Sequence, residues 1–250
     1  MSGHSKWATI KRKKGAIDAK RSKIFARIVK EISISIKEGG SADIDFNPRL
    51  RTAVANAKGV NMPKDNIDRA IKKAGSDSAS YMEVTFEGTG PGGAGIFVEC
   101  LTDNNQRTVS NIRAIFNKRG GTLGKNGSLS YLFDRKGVFT IKNTGINFDD
   151  IELDLIDAGL DDIEHEGDET VLTVSYENFG NMQKKLDELK IEPQNAVLER
   201  IANTTRELAT DVAIKALKLV EFLEEDDDVQ NVFHDIEMTD DLENALNAEE

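Results

Sequence analysis

The sequence predicts an α+β protein of three domains: an N-terminal three-helix bundle followed by two ferredoxin-like α/β domains, one inserted in the other. Three observations predict it. Apolar residues recur with a helical period through the first third of the chain and alternate with period two after Tyr81. Residues 136–202 read strand, helix, strand, strand, helix, strand, the order of the split βαβ motif. Residues 81–134 read strand, strand, helix, strand, and the pattern at 206–236 supplies the helix and strand that a similar unit lacks. The expected domains are 1–80 (basic arm and bundle), 81–135 with 206–238, an inserted 136–205, and an acidic flexible tail at 239–250.

Each element has its own signal. In residues 1–16, Gly3, Gly15 and the consecutive charges Lys11–Lys14 disfavour a rigid element and predict a basic arm. From Asp18 to Glu38 the period is helical: Phe25, Ile28, Val29, Ile32 and Ile36 form one stripe, with Asp18 as cap and Gly39-Gly40 as stop. Lys20, Lys23, Arg27 and Lys30 fall within an arc of roughly 80° on nearly the opposite side, a cationic rail. Asn47-Pro48 opens a helix to Lys58, Met62-Pro63 opens another to Ala74, and 76–80 is a linker. Beyond it, strands are expected at 82–87, 94–102 and 128–133, with a helix at 105–118. In the insertion, strands at 138–142, 162–166, 170–175 and 195–200 alternate with helices at 148–158 and 178–189. A helix at 206–224 and a strand at 229–236 complete the pattern.

Charge separates along the same boundaries. The chain carries net −11, yet residues 1–80 hold eighteen Lys/Arg against eight Asp/Glu, a net of +10, leaving −21 for the rest. Residues 1–30 hold ten basic residues and one acid, Asp18. A solvated, salt-bridged helix face would interleave acids, and this stretch does not. Cations along one helix face, plus an arm carrying the single Trp7, suit phosphate tracking with base stacking. The expected nucleic-acid contacts are Lys6, Trp7, Lys11, Arg12, Lys13, Lys14, Lys20, Arg21, Lys23, Arg27 and Lys30. DNA and RNA both meet these terms.

Other chemistry is weakly signalled. Gly88-Thr89-Gly90-Pro91-Gly92-Gly93 matches G-x-G-x-x-G, but a strand rather than a helix follows, so a hairpin loop is expected instead of a dinucleotide site. Three scattered histidines and one cysteine give no metal spacing, and the acidic run Glu224–Asp228 reads as a solvated turn. No nucleophile–base pair stands out, so neither catalysis, a metal nor a cofactor is expected. The lone Cys100 points to a reducing compartment, and no apolar run reaches the roughly 18–20 residues that span a bilayer. A cytoplasmic protein without a membrane partner is expected.

Gly3-His4-Ser5-Lys6-Trp7 with Ile10-Lys11 and Lys13-Lys14 resembles the start of the YebC/PmpR family, whose mitochondrial relatives are translational activators of cytochrome c oxidase. The likeness continues in Asn47-Pro48-Arg49-Leu50-Arg51, Asn61–Ile67, Glu87-Gly88 with Gly90–Gly93, Leu101–Asn104 with Arg107–Val109, Phe133–Gly137 and Asp226–Val232. Starting at Gly3, it leads us to expect no targeting segment before the first domain. Where the family pattern has a histidine in the basic arm, this chain has Arg12, which keeps or raises the positive charge. The resemblance implies the same three domains and a non-enzymatic role. Family members are described as DNA-binding transcriptional regulators, and others resemble ribosome-associated translation factors that help with difficult stretches such as consecutive prolines. The partner expected on both grounds is nucleic acid, either promoter DNA or ribosomal RNA at the ribosome. An acidic protein-interaction scaffold is the outlying alternative.

Overall fold

A computed structural model describes residues 17–76 and 81–248, and these divide into two compact units. Of the described residues, the first contains 17–23, 81–134 and 201–248; the second contains 24–76 and Arg135–Arg200.

In the first unit, β1 (Met82–Thr89) and β2 (Gly95–Thr102) form an antiparallel hairpin with Met82 opposite Thr102 and Thr89 opposite Gly95. β2 lies between β1 and β8 (Val229–His234), and with the short β3 (Thr122–Leu123) the order is β3-β1-β2-β8. It is covered on both faces, which explains why Gly95–Thr102 reads as a near-continuous apolar run. On one face, Ile96, Val98 and Cys100 join Ile112 and Phe116 of α4 (Asn105–Lys118) and Leu217, Val220 and Leu223 of α7 (Thr210–Glu224). On the other, Phe97 packs with Phe133 and Phe233.

Three expectations change here. The strand expected at 128–133 is a loop, held by the buried Glu87 carboxylate, which accepts from the Gly127 N–H at 2.7 Å and from the Leu129 N–H. The third strand is instead the short β3 (Thr122–Leu123), paired with Gly88 and Thr89. The helix expected from Arg206 starts at Thr210, because Arg206 makes a parallel bridge with Ile236 and its side chain meets Asp235 at 3.4 Å. The tail expected to be flexible at 239–250 is helical over α8 (Asp240–Ala248), with Leu242 and Leu246 buried in the main cluster. Two leucines at i, i+4 anchor it, and Asp240, Asp241 and Glu243 in its first turn suit the helix dipole.

The second unit contains the order read from the sequence: β4 (Phe133–Lys142, from Arg135 onward), α5 (Phe148–Asp157), β5 (Leu160–Glu166), β6 (Glu169–Ser175), α6 (Phe179–Glu188) and β7 (Asn195–Ala202, up to Arg200). Its sheet runs β5-β6-β4-β7, over a core of Phe139, Ile141, Phe148, Leu155, Leu172, Met182 and Leu186. The same unit contains α1 (Ile17–Gly39, from Ile24 onward), α2 (Pro48–Gly59) and α3 (Lys64–Ser76), closed on Ile32, Leu50, Ala53, Ala57, Met62 and Ile67. Asn56 of α2 continues the ladder of β7: its amide donates to the Ala196 carbonyl at 2.9 Å and accepts from the Ala196 N–H at 2.8 Å. Gly59 permits that approach, since a Cβ there would stand 1.8 Å from the Gln194 carbonyl oxygen.

Candidate nucleic-acid interface

Of the residues expected to contact nucleic acid, Lys6, Trp7, Lys11, Arg12, Lys13 and Lys14 lie outside the described residues. Lys20 falls in the first turn of α1, with its side chain outside the described part. Arg21 is exposed. Lys23, Arg27 and Lys30 are half-buried, and Lys23 donates to the Glu225 carbonyl. Burial lowers the Arg27 guanidinium from its ordinary value. The rail is therefore not the fully solvated face that its angular spacing suggests. The half-burial of these side chains comes from packing that angular counting along one helix does not register.

The structure brings together a set of residues that the spacing argument passed over. Between α1 and α3 an open groove of about 250 Å³ is lined by Phe25, Val29, Met62 and Ala70, with Asn66, Arg69 and Lys73 also at its walls. Arg69 is fixed by two hydrogen bonds from its guanidinium: Nε donates to the Asp65 carbonyl at 3.0 Å and Nη2 to the Asn66 Oδ1. An apolar surface beside a positioned guanidinium and an ammonium can take a flat ring with a phosphate next to it. The volume lies just below the roughly 300–1,000 Å³ of small-molecule sites, which suits a base better than a whole dinucleotide. The signal available in the sequence was the cluster Arg69, Lys72 and Lys73 on a second helix. Phe46 was also missed: it stands 79% exposed in the loop between α1 and α2, where nothing in the sequence separates it from a core residue.

Several motif residues have structural work. Asn47 is buried: it caps α2 by accepting from the Leu50 N–H at 3.1 Å, and its amide donates to the Ser35 and Ser41 carbonyls, both at 2.8 Å. Arg49 pairs with Glu31 at 3.0 Å and with Glu38. The glycine-rich stretch is the expected hairpin loop, a 3₁₀ turn over Pro91–Gly93 between β1 and β2. Its Gly92, at φ +70°, lies so close to Leu208 and Val212 that a Cβ would stand 2.7–2.8 Å from them, so the loop is packed against protein and does not cradle a phosphate. In the acidic run, Asp226 accepts from Asn111 at 3.0 Å and from the Asp228 N–H at 2.9 Å, while buried Asp228 pairs with Arg107 at 2.8 Å. Among the described residues no group of three His, Cys, Asp or Glu is arranged to hold a metal, and no helix is long and apolar enough to cross a membrane.

Comparison with known proteins covers nearly the whole chain. Residues 5–77 match the TACO1/YebC protein N-terminal domain, and residues 81–236 match the TACO1/YebC second and third domain. A probable transcriptional regulatory protein of Amoebophilus asiaticus is 50% identical over 240 residues, covering 94% of this chain and 98% of its own. One from Geotalea uraniireducens is 45% identical over 241 residues, covering 96% and 97%. Among solved structures, a conserved hypothetical protein from Aquifex aeolicus superposes with a TM-score of 0.78 at 34% identity, over 89% of this chain and 93% of that one.

Proposed function

The chain belongs to the TACO1/YebC family, and from that membership we propose that it is a cytoplasmic, non-enzymatic, nucleic-acid-binding regulator of gene expression. Relatives at 45–50% identity carry the name probable transcriptional regulatory protein, which supports a regulatory role. The observation that carries the nucleic-acid reading is the segregation of charge: a chain of net −11 holds +10 in its first 80 residues. The arm Lys6, Trp7 and Lys11–Lys14 makes first contact, and Arg21, Lys23, Arg27 and Lys30 extend the charged surface. The groove between α1 and α3 accepts a base beside Arg69 and Lys73. Lys20 continues the same helix.

One feature favours RNA at the ribosome over promoter DNA. The groove offers an apolar surface to an unstacked ring, and bases are unstacked in single strands, not in a duplex. In the RNA reading the protein is a ribosome-associated factor; in the DNA reading it is a DNA-binding transcription factor.

Trp7 is the only tryptophan, so its fluorescence reports on the arm alone. Single-stranded RNA or duplex DNA is expected to quench it, with salt reversing the effect. Unchanged emission through saturating titrations of both would overturn the proposed role of the arm. Crosslinking in cells, followed by sequencing of the bound nucleic acid, separates the two targets: ribosomal RNA positions select the ribosome reading and promoter fragments select transcription.

A further inference from the structure

Helix α5 has an apolar side that the described residues leave exposed. Its Phe148 and Leu155 are buried in the core of the second unit, and Ile151 packs against the same cluster. Leu153 and Ile156, one turn apart, point the other way and are 79% and 50% exposed. Asp149, Glu152 and Asp157 are exposed around them. At 100° per residue Glu152 and Asp157 fall on either side of the Leu153–Ile156 pair and Asp149 lies on the same arc nearer the start of the helix, so carboxylates border the two aliphatic side chains.

The charge around this pair is one-sided. Residues 148–169 contain eleven Asp and Glu and no Lys or Arg. The two neighbouring cations are already engaged: Lys185 with Asp154 at 3.4 Å, and Lys136 with Asp161 at 2.7 Å. β5, which follows α5, is an edge strand carrying Asp161, Asp162 and Glu164. Charges on an edge strand keep other strands from pairing there, which accounts for that part of the acidity. Edge protection does not account for exposed Leu153 and Ile156 on a helix, where serine or lysine would serve solubility better.

We propose that the outward face of α5 docks a cationic, amphipathic segment of another protein, one that presents aliphatic side chains at helical spacing flanked by Lys or Arg. The aliphatic pair supplies area to desolvate, and the surrounding carboxylates supply steering and register. The same carboxylates repel nucleic acid and anionic membrane surfaces, which selects a basic protein as the occupant. The bundle would then hold nucleic acid while α5 holds a basic protein partner.

The test uses the full chain and two labelled helical peptides of equal positive charge, one with leucines at i, i+3 and i+7 and one with serines in their place, read by fluorescence anisotropy at 0.15 M salt. The leucine peptide is expected to bind at least tenfold tighter than the serine peptide. The double substitution Leu153→Ser with Ile156→Ser removes that advantage without changing the melting temperature or RNA binding, since both side chains are exposed. Asp149→Asn with Glu152→Gln and Asp157→Asn weakens both peptides and flattens their salt dependence. Equal binding of the two peptides, or an advantage that survives the Leu153/Ile156 change, overturns the proposal. So does loss of RNA binding in the Leu153/Ile156 variant, which would assign α5 to the nucleic-acid face. Self-association that this variant abolishes would assign the face to a second copy of the chain, and also overturns it.

Discussion

Asp228 ends a run of five acids, and its carboxylate is buried against Thr108 Oγ1 at 2.9 Å, Thr102 Oγ1 at 3.3 Å and the Arg107 guanidinium at 2.8 Å. Asn104 begins the adjoining helix by accepting from the Arg107 N–H at 3.1 Å. Two motifs far apart in the chain, Thr102–Thr108 and Asp226–Asp228, are thus halves of one network joining β2 and α4 to the turn before β8. The energetics are asymmetric. Arg107 also pairs with Asp103 at 2.9 Å and is about half exposed, so it retains a partner and water if Asp228 is removed. Asp228 is central: its removal leaves the buried Thr102 hydroxyl short of an acceptor, while Thr108 keeps the Asn104 carbonyl at 3.0 Å, and strips Arg107 of its buried partner. Asp228→Ala is expected to cost about 3 kcal/mol of stability, at the low end of the range for breaking a buried pair. Arg107→Ala is expected to cost less, because the two threonines still donate to the carboxylate. Urea unfolding of both variants checks the order, and a larger loss for Arg107→Ala would show that the carboxylate is not the centre.

The elements with long periodic patterns were legible from sequence. α4 was expected and found at 105–118, and α5, α6 and β5–β7 lie within two residues of their expected limits. Their apolar spacing is local information, which a sequence shows directly. What misled was decided by distant partners. The run Ser128–Phe133 alternates like a strand, but Glu87 some forty residues earlier captures its backbone N–H groups in a loop. The segment at 240–248 is too acidic to look folded, yet Leu242 and Leu246 are enough once the α7 and β8 core is beside them. The candidate site was legible as charge but not as geometry. Ten cations in thirty residues pointed to the N-terminal end, whereas the groove needs α1 and α3 side by side, which no periodicity encodes. The arm is the element where charge alone should suffice. Replacing Lys11, Arg12, Lys13 and Lys14 together by alanine is expected to reduce the slope of log K against log salt by up to about 0.7–0.9 per lost phosphate contact, with folding unchanged. Binding titrations over a salt series measure it, and an unchanged slope would move the contacts to the groove and to α1.

At the scale of the whole molecule, the chain leaves the first unit after Asp134 and returns to it at Ile201. The points of departure and return lie together. The Asn203 N–H donates to the Leu132 carbonyl at 2.9 Å, and its side-chain amide reaches the Tyr131 carbonyl at 3.2 Å and Asp134 at 3.3 Å. Just beyond, Arg206 and Asp235 close the same corner at 3.4 Å, and buried Asp235 also accepts from the Gly95 N–H at 2.8 Å. An insertion whose ends meet imposes little on its host, because a short linker spans the gap at small loop-closure cost. The main cluster of the first unit draws on residues from β1 to β3 and from Leu208 to Leu246. We therefore propose that 81–134 and 201–250 make one domain interrupted by another. A chain in which Arg135–Arg200 is replaced by two or three glycines, beginning at Tyr81, is expected to unfold in one cooperative transition and to keep its Cys100 thiol protected from modification. The buried cysteine on β2 makes that thiol a direct report on whether the sheet and its covering helices have assembled. A broad, non-cooperative melt with a freely reactive thiol would show that the first unit depends on the segment removed.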